Sequence, residues 1–315
     1  MYAGGRHPDL VYLLNDVTDS KAFRQNYSLA RLLETAMSLI QLKSRPVARV
    51  WGRTSLPAWA GQQEPQADPI GELWVEDERG DQAELLVKFL FTSERLSIQV
   101  HPDDRAARAH GHPRGKDEAW LILDADAGAE IGVGLKSTLS EEGLRSAALD
   151  GTLERLIDWR PVRAGDFIYA PAGTIHAIGG GVSLIEIQQN SDVTYRLYDY
   201  GRPRELHLND GVAVSRPEPF PEQAQRLSAA AGREILASGR VFTIEHWRGP
   251  LSCSVSNDGE PLTLIPLGGD VRFADRRLKL GSVWTTDAPG SIEMGADAAL
   301  LVAYPRPNAI PDLLG

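Results

Sequence analysis

Residues 165–176 read GDFIYAPAGTIH, and the reading of this stretch decides the fold. Positions 166–170 are strand-like and apolar after Asp166, Pro171 and Gly173 break the run, and 174–178 resume it with His176 inside. The same grammar repeats outward. Residues 83–91 form an apolar run, 96–100 alternate, 119–123 are short and apolar, and 183–187 follow. Many short strands punctuated by Gly and Pro predict a mainly β chain, a sandwich or jelly-roll barrel. Residues 138–159 are the exception and predict one or two helices. Thr138 and Glu141 fit a capping box, Leu144, Ala147 and Ala148 supply one inner face, and Leu153, Leu156 and Ile157 supply another.

The two ends read differently. Leu29, Leu32, Leu33, Ala36, Met37 and Ile40 recur at three-four spacing behind Ser28, a helix cap, which predicts an amphipathic docking helix. Around 215–223, Pro217, Pro219 and Pro221 mark a linker. Beyond it, 240–247, 262–266, 271–273 and 298–303 again read as strands. The expected organisation is therefore an N-terminal helical extension (1–45), a main β domain (46–215) with its helical insertion at 138–159, and a second, smaller β domain (216–315).

Composition narrows the function classes. The 315 residues carry 33 basic and 43 acidic side chains, a net charge of −10, which disfavours a nucleic-acid partner because phosphate neutralisation needs a basic face. With Cys253 as the single cysteine, an intrachain disulfide and a thiolate zinc cluster are both excluded. Apolar runs stay short of the ~18 residues a membrane helix needs. Arg6, Asp9, Asp16 and Asp19 interrupt any secretory signal core, so a cytoplasmic location without membrane association is expected. An anionic substrate would need a local cationic pocket in this acidic background.

Gln99 and His101 stand at i and i+2, so one strand projects both from the same face. With Glu118 ahead of the 119–123 run and His176 in its own strand, two imidazoles, a carboxylate and an amide oxygen could converge inside one barrel. Zinc accepts such a set, and manganese, iron or cobalt would too. Other marked residues read more plainly. His110 and His112 sit in a Gly/Pro loop, His7 and His246 are incidental, and Asp103 and Asp104 start a short helix. Gly179, Gly180 and Gly181 lack a following Lys-Ser/Thr and form a turn rather than a phosphate loop. Trp51 and Trp74 are expected near the pocket.

The opening stretch fits G-x5-P-x-G-x2-H, the second motif of the cupins, in which a turn delivers a strand histidine to a metal inside a jelly-roll barrel. Gly180 replaces the motif's usual terminal asparagine, and His101 to Glu118 is longer than the common first-motif gap. Longer spellings are more specific: LSIQVHPDD at 96–104, GKDEAW at 115–120, PAGTIHA at 171–177, EIQQNSDVTYRLYDY at 186–200 and RELHL at 204–208. From about Val50 to Val214 this order closely resembles class I phosphomannose isomerase (mannose-6-phosphate isomerase), a zinc-dependent cupin family. The resemblance implies a cupin catalytic domain followed by a smaller, metal-free cupin-like domain. It implies one Zn²⁺ per chain held by Gln99, His101, Glu118 and His176, a catalytic Arg196, and Lys116 and Glu186 lining the same pocket. Arg53 and Asp117 depart from the family's commonest residues without touching a ligand. The implied reaction interconverts mannose 6-phosphate and fructose 6-phosphate through a cis-enediol, with a small sugar phosphate as partner. The residues before the barrel are too few for the nucleotidyltransferase domain fused in bifunctional relatives. Competing classes are a non-catalytic sugar-phosphate-binding cupin and an iron cupin dioxygenase. Among the site residues taken singly, Lys116 alone would read as a loop lysine, Arg196 as a partner of Asp192 or Asp199, Glu186 as a cap or an arginine partner, and His207 as packing or a contact behind the site.

Overall fold

The computed structural model describes residues 39–61, 68–221, 227–230 and 232–315. In chain order the first part comprises β1 (Leu39–Gln41), β2 (Lys43–Arg53), β3 (Ile70–Glu76), β4 (Leu85–Phe91), β5 (Ile98–Val100) and α1 (Asp104–Ala109). There follow β6 (Glu118–Ala125), β7 (Glu130–Leu135), α2 (Glu141–Asp150), α3 (Leu153–Leu156), β8 (Ile157–Pro161), β9 (Phe167–Ala170), β10 (His176–Ile178), β11 (Val182–Gln189), β12 (Tyr195–Tyr198) and α4 (Leu208–Val214). The remainder is β13 (Leu227–Ala230), β14 (Arg233–Ser238), β15 (Thr243–Arg248), β16 (Leu251–Val255), β17 (Leu262–Gly268), β18 (Val271–Phe273), β19 (Arg276–Leu278), β20 (Trp284–Thr286), β21 (Gly290–Met294) and β22 (Ala299–Tyr304).

These strands build four sheets that stack as layers. A six-stranded sheet (β2-β3-β4-β11-β6-β9) faces a five-stranded one (β12-β5-β10-β7-β8). Leu90, Trp120, Ile122 and Leu184 from the first meet Ile131 and Ile178 from the second between them. The outer side of the five-stranded sheet is covered by Leu144, Ala147, Ala148, Leu153 and Val212 from the helices. The outer side of the six-stranded sheet packs on a seven-stranded sheet (β1-β20-β17-β22-β15-β14-β13), with Phe89, Ile185 and Ile187 against Ile244, Ile265 and Leu301. A four-stranded sheet (β16-β21-β18-β19) closes the far side of that layer. Burial on both faces explains why β11 is buried along its whole length, its polar residues Ser183, Glu186, Gln188 and Gln189 included. Each fully buried Leu, Ile or Phe contributes about 1.5–3 kcal/mol, so both halves are held by extensive apolar contact rather than by a hinge.

Strand alternation places the site. On β11, Ile185 and Ile187 point to the seven-stranded sheet, which leaves Leu184, Glu186 and Gln188 on the barrel side. In register across the six-stranded sheet, Trp74 lies beside Lys88, Lys88 beside Glu186, and Glu186 beside Trp120. Across the five-stranded sheet, Arg196 pairs with Gln99 and Gln99 with His176. Two rows of polar side chains therefore face each other across one core. The turn into β10 depends on Gly173, whose φ of +88° lies in the left-handed region and whose N–H donates to His101 O at 2.8 Å.

Several local expectations are corrected. The helix expected behind Ser28 lies outside the described residues except at its end, where Leu39–Gln41 is a strand paired with β20. Leu39 is buried between the two C-terminal sheets while Ile40 is exposed, so a strand period replaced the helical one. The expected break at residue 45 falls within β2. The cap of α2 is Ser140, accepting from Gly143 N–H at 3.0 Å, rather than Thr138, and Ile157 to Trp159 are strand. The proline segment is pinned to the barrel: Leu135 N–H donates to Glu218 O and Leu139 N–H to Pro217 O. The helix expected from Asp103 forms, with the Asp103 carboxylate accepting from Ala106 N–H at 2.8 Å.

Candidate metal centre

His101 follows β5, Glu118 opens β6 and His176 opens β10, and one ligand atom from each lies within 4.8 Å of the others. All three are almost fully buried. His101 Nδ1 is 2.8 Å from Val193 O and His176 Nδ1 is 2.9 Å from Thr174 O. A carbonyl only accepts, so each ring carries its proton on Nδ1 and presents the bare Nε2 lone pair inward. Burial keeps both rings neutral, pushing His101 down to about 3 and His176 below the ordinary imidazole value. These lone pairs face the carboxylate oxygens of Glu118 at 3.3 and 3.4 Å with no proton between them. Glu118 Oε2 is buried without a hydrogen-bond partner. Two imidazole lone pairs converging on a carboxylate with one orphaned oxygen fit a divalent cation.

Gln99 reaches the same point, its amide nitrogen 3.3 Å from His176 Nε2. Its Oε1 and Nε2 exchange places by rotation of the amide. The Trp120 ring stands 5.1 Å from that of His176 and closes the apolar side. Lys116 is buried, not a solvated loop residue. Its Nζ lies 2.6 Å from Glu118 Oε1 and 3.4 Å from His101 Nε2. Burial opposes the charge on both partners, but their surroundings outweigh it: His101 and Lys116 hold the Glu118 carboxyl well below its usual range, and Glu118 with Glu186 raises Lys116 above its own.

Above this cluster opens a cavity of about 350 Å³, lined among others by Gln99, Lys116, Glu186, Arg196, Lys88 and Trp51. Glu186 pairs with Lys88 at 3.4 Å and accepts from Trp120 Nε1 at 3.0 Å, rather than from an arginine. Burial, reinforced by the charge of Glu118, raises its carboxyl above the ordinary range. Arg196 lies at the rim, its Nη1 donating to Glu205 O at 2.8 Å and its Nε buried without a partner. Asp199 is instead engaged by Arg202 and Arg204. His207 accepts from Arg196 N–H at 3.1 Å and so steadies the backbone of that residue. His110 faces Asp210 on the surface, and Arg53 donates to Thr92 O, away from the cluster.

Three cavity residues were missed in the sequence. Lys88 is a lone lysine within LLVKFLF, in phase with Leu86 and Leu90 and stacked 4.4 Å from the Trp74 ring centroid. A charge on the barrel face of a strand buried on both sides was the available signal. Glu72 and Arg49 form a 2.7 Å pair at the cavity wall, and nothing in their local sequence announces it. Lys88 and Lys116 balance Glu186 and Glu118, so a divalent ion plus Arg196 would leave net positive charge for an anionic ligand.

None of the protein-family models compared with the chain matches it. The mannose-6-phosphate isomerase of Streptococcus mutans serotype c is 35% identical over 219 residues, which cover 65% of this chain and 69% of that protein. Mannose-6-phosphate isomerase ManA of Bacillus subtilis is 41% identical over 167 residues, 49% of this chain and 53% of the relative. In three dimensions, the mannose 6-phosphate isomerase structure from Bacillus subtilis superposes with a TM-score of 0.74 at 27% identity, covering 84% of this chain and 99% of that one. A phosphomannose isomerase variant from Salmonella typhimurium shares the fold at 17% identity, with a TM-score of 0.67 over 85% of this chain and all of its own.

Proposed function

The chain belongs to the mannose-6-phosphate isomerase family, and we propose that it interconverts mannose 6-phosphate and fructose 6-phosphate with one zinc ion held by Gln99, His101, Glu118 and His176. The observation that carries the metal reading is the convergence of two imidazole lone pairs and the orphaned Glu118 Oε2 at the cavity floor. When bound, the ion supplies Lewis acidity that stabilises the charge developing on the substrate oxygens during an aldose–ketose shift.

The protein residues do the rest. A proton must pass between C1 and C2, and the group that moves it has to be protonated and deprotonated near neutral pH. Glu186 suits that task because burial and Glu118 raise its carboxyl, while Lys88 and Trp120 hold its orientation. Lys116 fixes Glu118 Oε1 and adds positive charge at the cavity floor. Arg196, tethered through Glu205 O and His207, places a guanidinium without a carboxylate partner among the described residues at the rim. It would stabilise the enediolate or the phosphate.

A coupled assay of purified protein with mannose 6-phosphate and added Zn²⁺, beside elemental analysis of the same sample, tests the reading. Conversion to fructose 6-phosphate with about one zinc per chain is expected. Full activity after metal depletion would refute the metal role. Binding without conversion would point to a sugar-phosphate sensor, and iron with oxygen uptake to a dioxygenase. Among the described residues no helix is long and apolar enough to cross a membrane.

A further inference from the structure

Asp117 stands between the two residues that meet in the cluster, Lys116 and Glu118, and alternation along the chain turns its side chain to the opposite face. It is fully buried and takes donors from three places. Tyr169 on β9 donates its hydroxyl, and the Ala172 N–H, in the turn leading to His176, donates at 2.9 Å. These two tie the strand of Glu118 to the turn of His176. The third donor comes from the other half of the chain: Arg240 Nη2, 2.7 Å away, at the tip of the β14–β15 hairpin.

That tip is seated closely. Gly239 N–H donates to Phe242 O at 2.9 Å, and the Phe242 ring meets Tyr169 edge-on at 5.7 Å. A Cβ on Gly239 would come within 2.5 Å of the Tyr169 hydroxyl, so only glycine permits the approach. The Arg240 side chain is 56% exposed, yet its guanidinium ends on a carboxylate with no exposure at all. Metal ligands must hold their positions to within about 0.2 Å, and the partners behind them keep them there. Without Arg240, Asp117 is a buried charge short of one donor, one residue from Glu118.

We propose that Arg240 is a positioning residue: through Asp117 it fixes Glu118 relative to the turn at 171–176, so the hairpin of the second β unit sets the affinity of the centre for its divalent ion. The inference rests on the metal reading above. Its test is titration of Zn²⁺ against a chromophoric chelator, with kcat, KM and thermal unfolding of the zinc-free chain measured alongside. Arg240→Ala is expected to weaken zinc binding about tenfold, the low end for partners behind metal ligands. KM at saturating zinc should stay as in the wild type, whereas the zinc-free chain should unfold at a lower temperature because buried Asp117 loses one donor. Arg240→Lys should recover most of the loss, because the contact uses one nitrogen rather than a two-pronged fork. The double variant with Asp117→Asn should bind no more weakly than Asp117→Asn alone.

Zinc affinity unchanged within twofold in Arg240→Ala overturns the proposal, whatever happens to the unfolding temperature. So does a loss that persists in full in the Asp117→Asn background. Should Asp117→Asn not fold, Arg240→Ala against Arg240→Lys decides by itself, because that side chain lies at the surface. Absence of zinc binding by the wild type overturns the metal reading and this proposal with it, whereas wild-type binding with an unaltered Arg240→Ala overturns the positioning role alone.

Discussion

Glu245 and Glu118 are both glutamates buried inside a β unit, one in each half of the chain, and their surroundings are opposite. Glu245 receives Arg233 Nε at 2.6 Å, Arg233 Nη2 at 2.7 Å, Trp247 Nε1 at 2.8 Å and the Tyr304 hydroxyl at 2.5 Å. Both of its oxygens are saturated, and Arg233 also holds the carbonyls of Ile310 and Pro311 near the C-terminal end. Glu118 has one ammonium donor, two bare imidazole nitrogens opposite it, and one oxygen with no partner. A buried carboxylate that the chain satisfies by itself is structural. One that the chain leaves short, among other electron-pair donors, marks a candidate ligand site.

Variants can break or sharpen this contrast. The largest effect is expected from His176→Ala or His101→Ala, which should abolish metal retention on elemental analysis. Turnover should then fall on the order of 10³-fold, the worth of several kcal/mol of charge stabilisation. Retained metal in either variant would break the contrast outright. Next comes Arg233→Ala, which strands Glu245 as an uncompensated buried charge and should cost about 3–5 kcal/mol in denaturant unfolding. Bound zinc per folded chain should not change, and its loss would mean that the two networks are not separate in kind.

Arg196→Ala is expected to lower turnover about 10²-fold with the metal still bound, a typical cost for removing one stabilising donor. Unaltered kinetics would remove Arg196 from the mechanism. The smallest effect concerns pH. Because burial and Glu118 raise the Glu186 carboxyl, its basic form is lost as pH falls through a value above the ordinary carboxylate range. The acidic limb of kcat/KM should lie there. Lys88 favours the ionised form, so Lys88→Met should move that limb to higher pH, and a limb that stays put would detach Glu186 from proton transfer.

Much of this was readable in advance, for identifiable reasons. The strands at 85–91, 118–125, 182–189 and 271–273 announced themselves by apolar runs bounded by turn residues. The convergence of His101, Glu118 and His176 was legible because strand parity projects His101 into the barrel and the GDFIYAPAGTIH turn carries its own geometry. The three-four spacing predicts helix as far as Ile40, but Leu39–Gln41 is a strand, because pairing with β20 outweighs a spacing that local sequence cannot distinguish from chance. The Thr138 cap was displaced by two residues to Ser140, because both residues suit the role and only the path of the chain selects one.

Alone, then, the sequence determined a thiol-poor, acidic, mainly β chain with imidazole, amide and carboxylate donors on barrel strands. Those properties depend on composition, parity and turn chemistry, all of which act over a few residues. Tertiary structure decided what spans the layers. It set Lys88 against Glu186 rather than in solvent, left Arg196 free of Asp192 and Asp199, and brought Arg240 across from the second unit onto Asp117. Such pairings join residues up to 123 positions apart. Their energies arise only when the sheets close and water is excluded, so no local pattern encodes them.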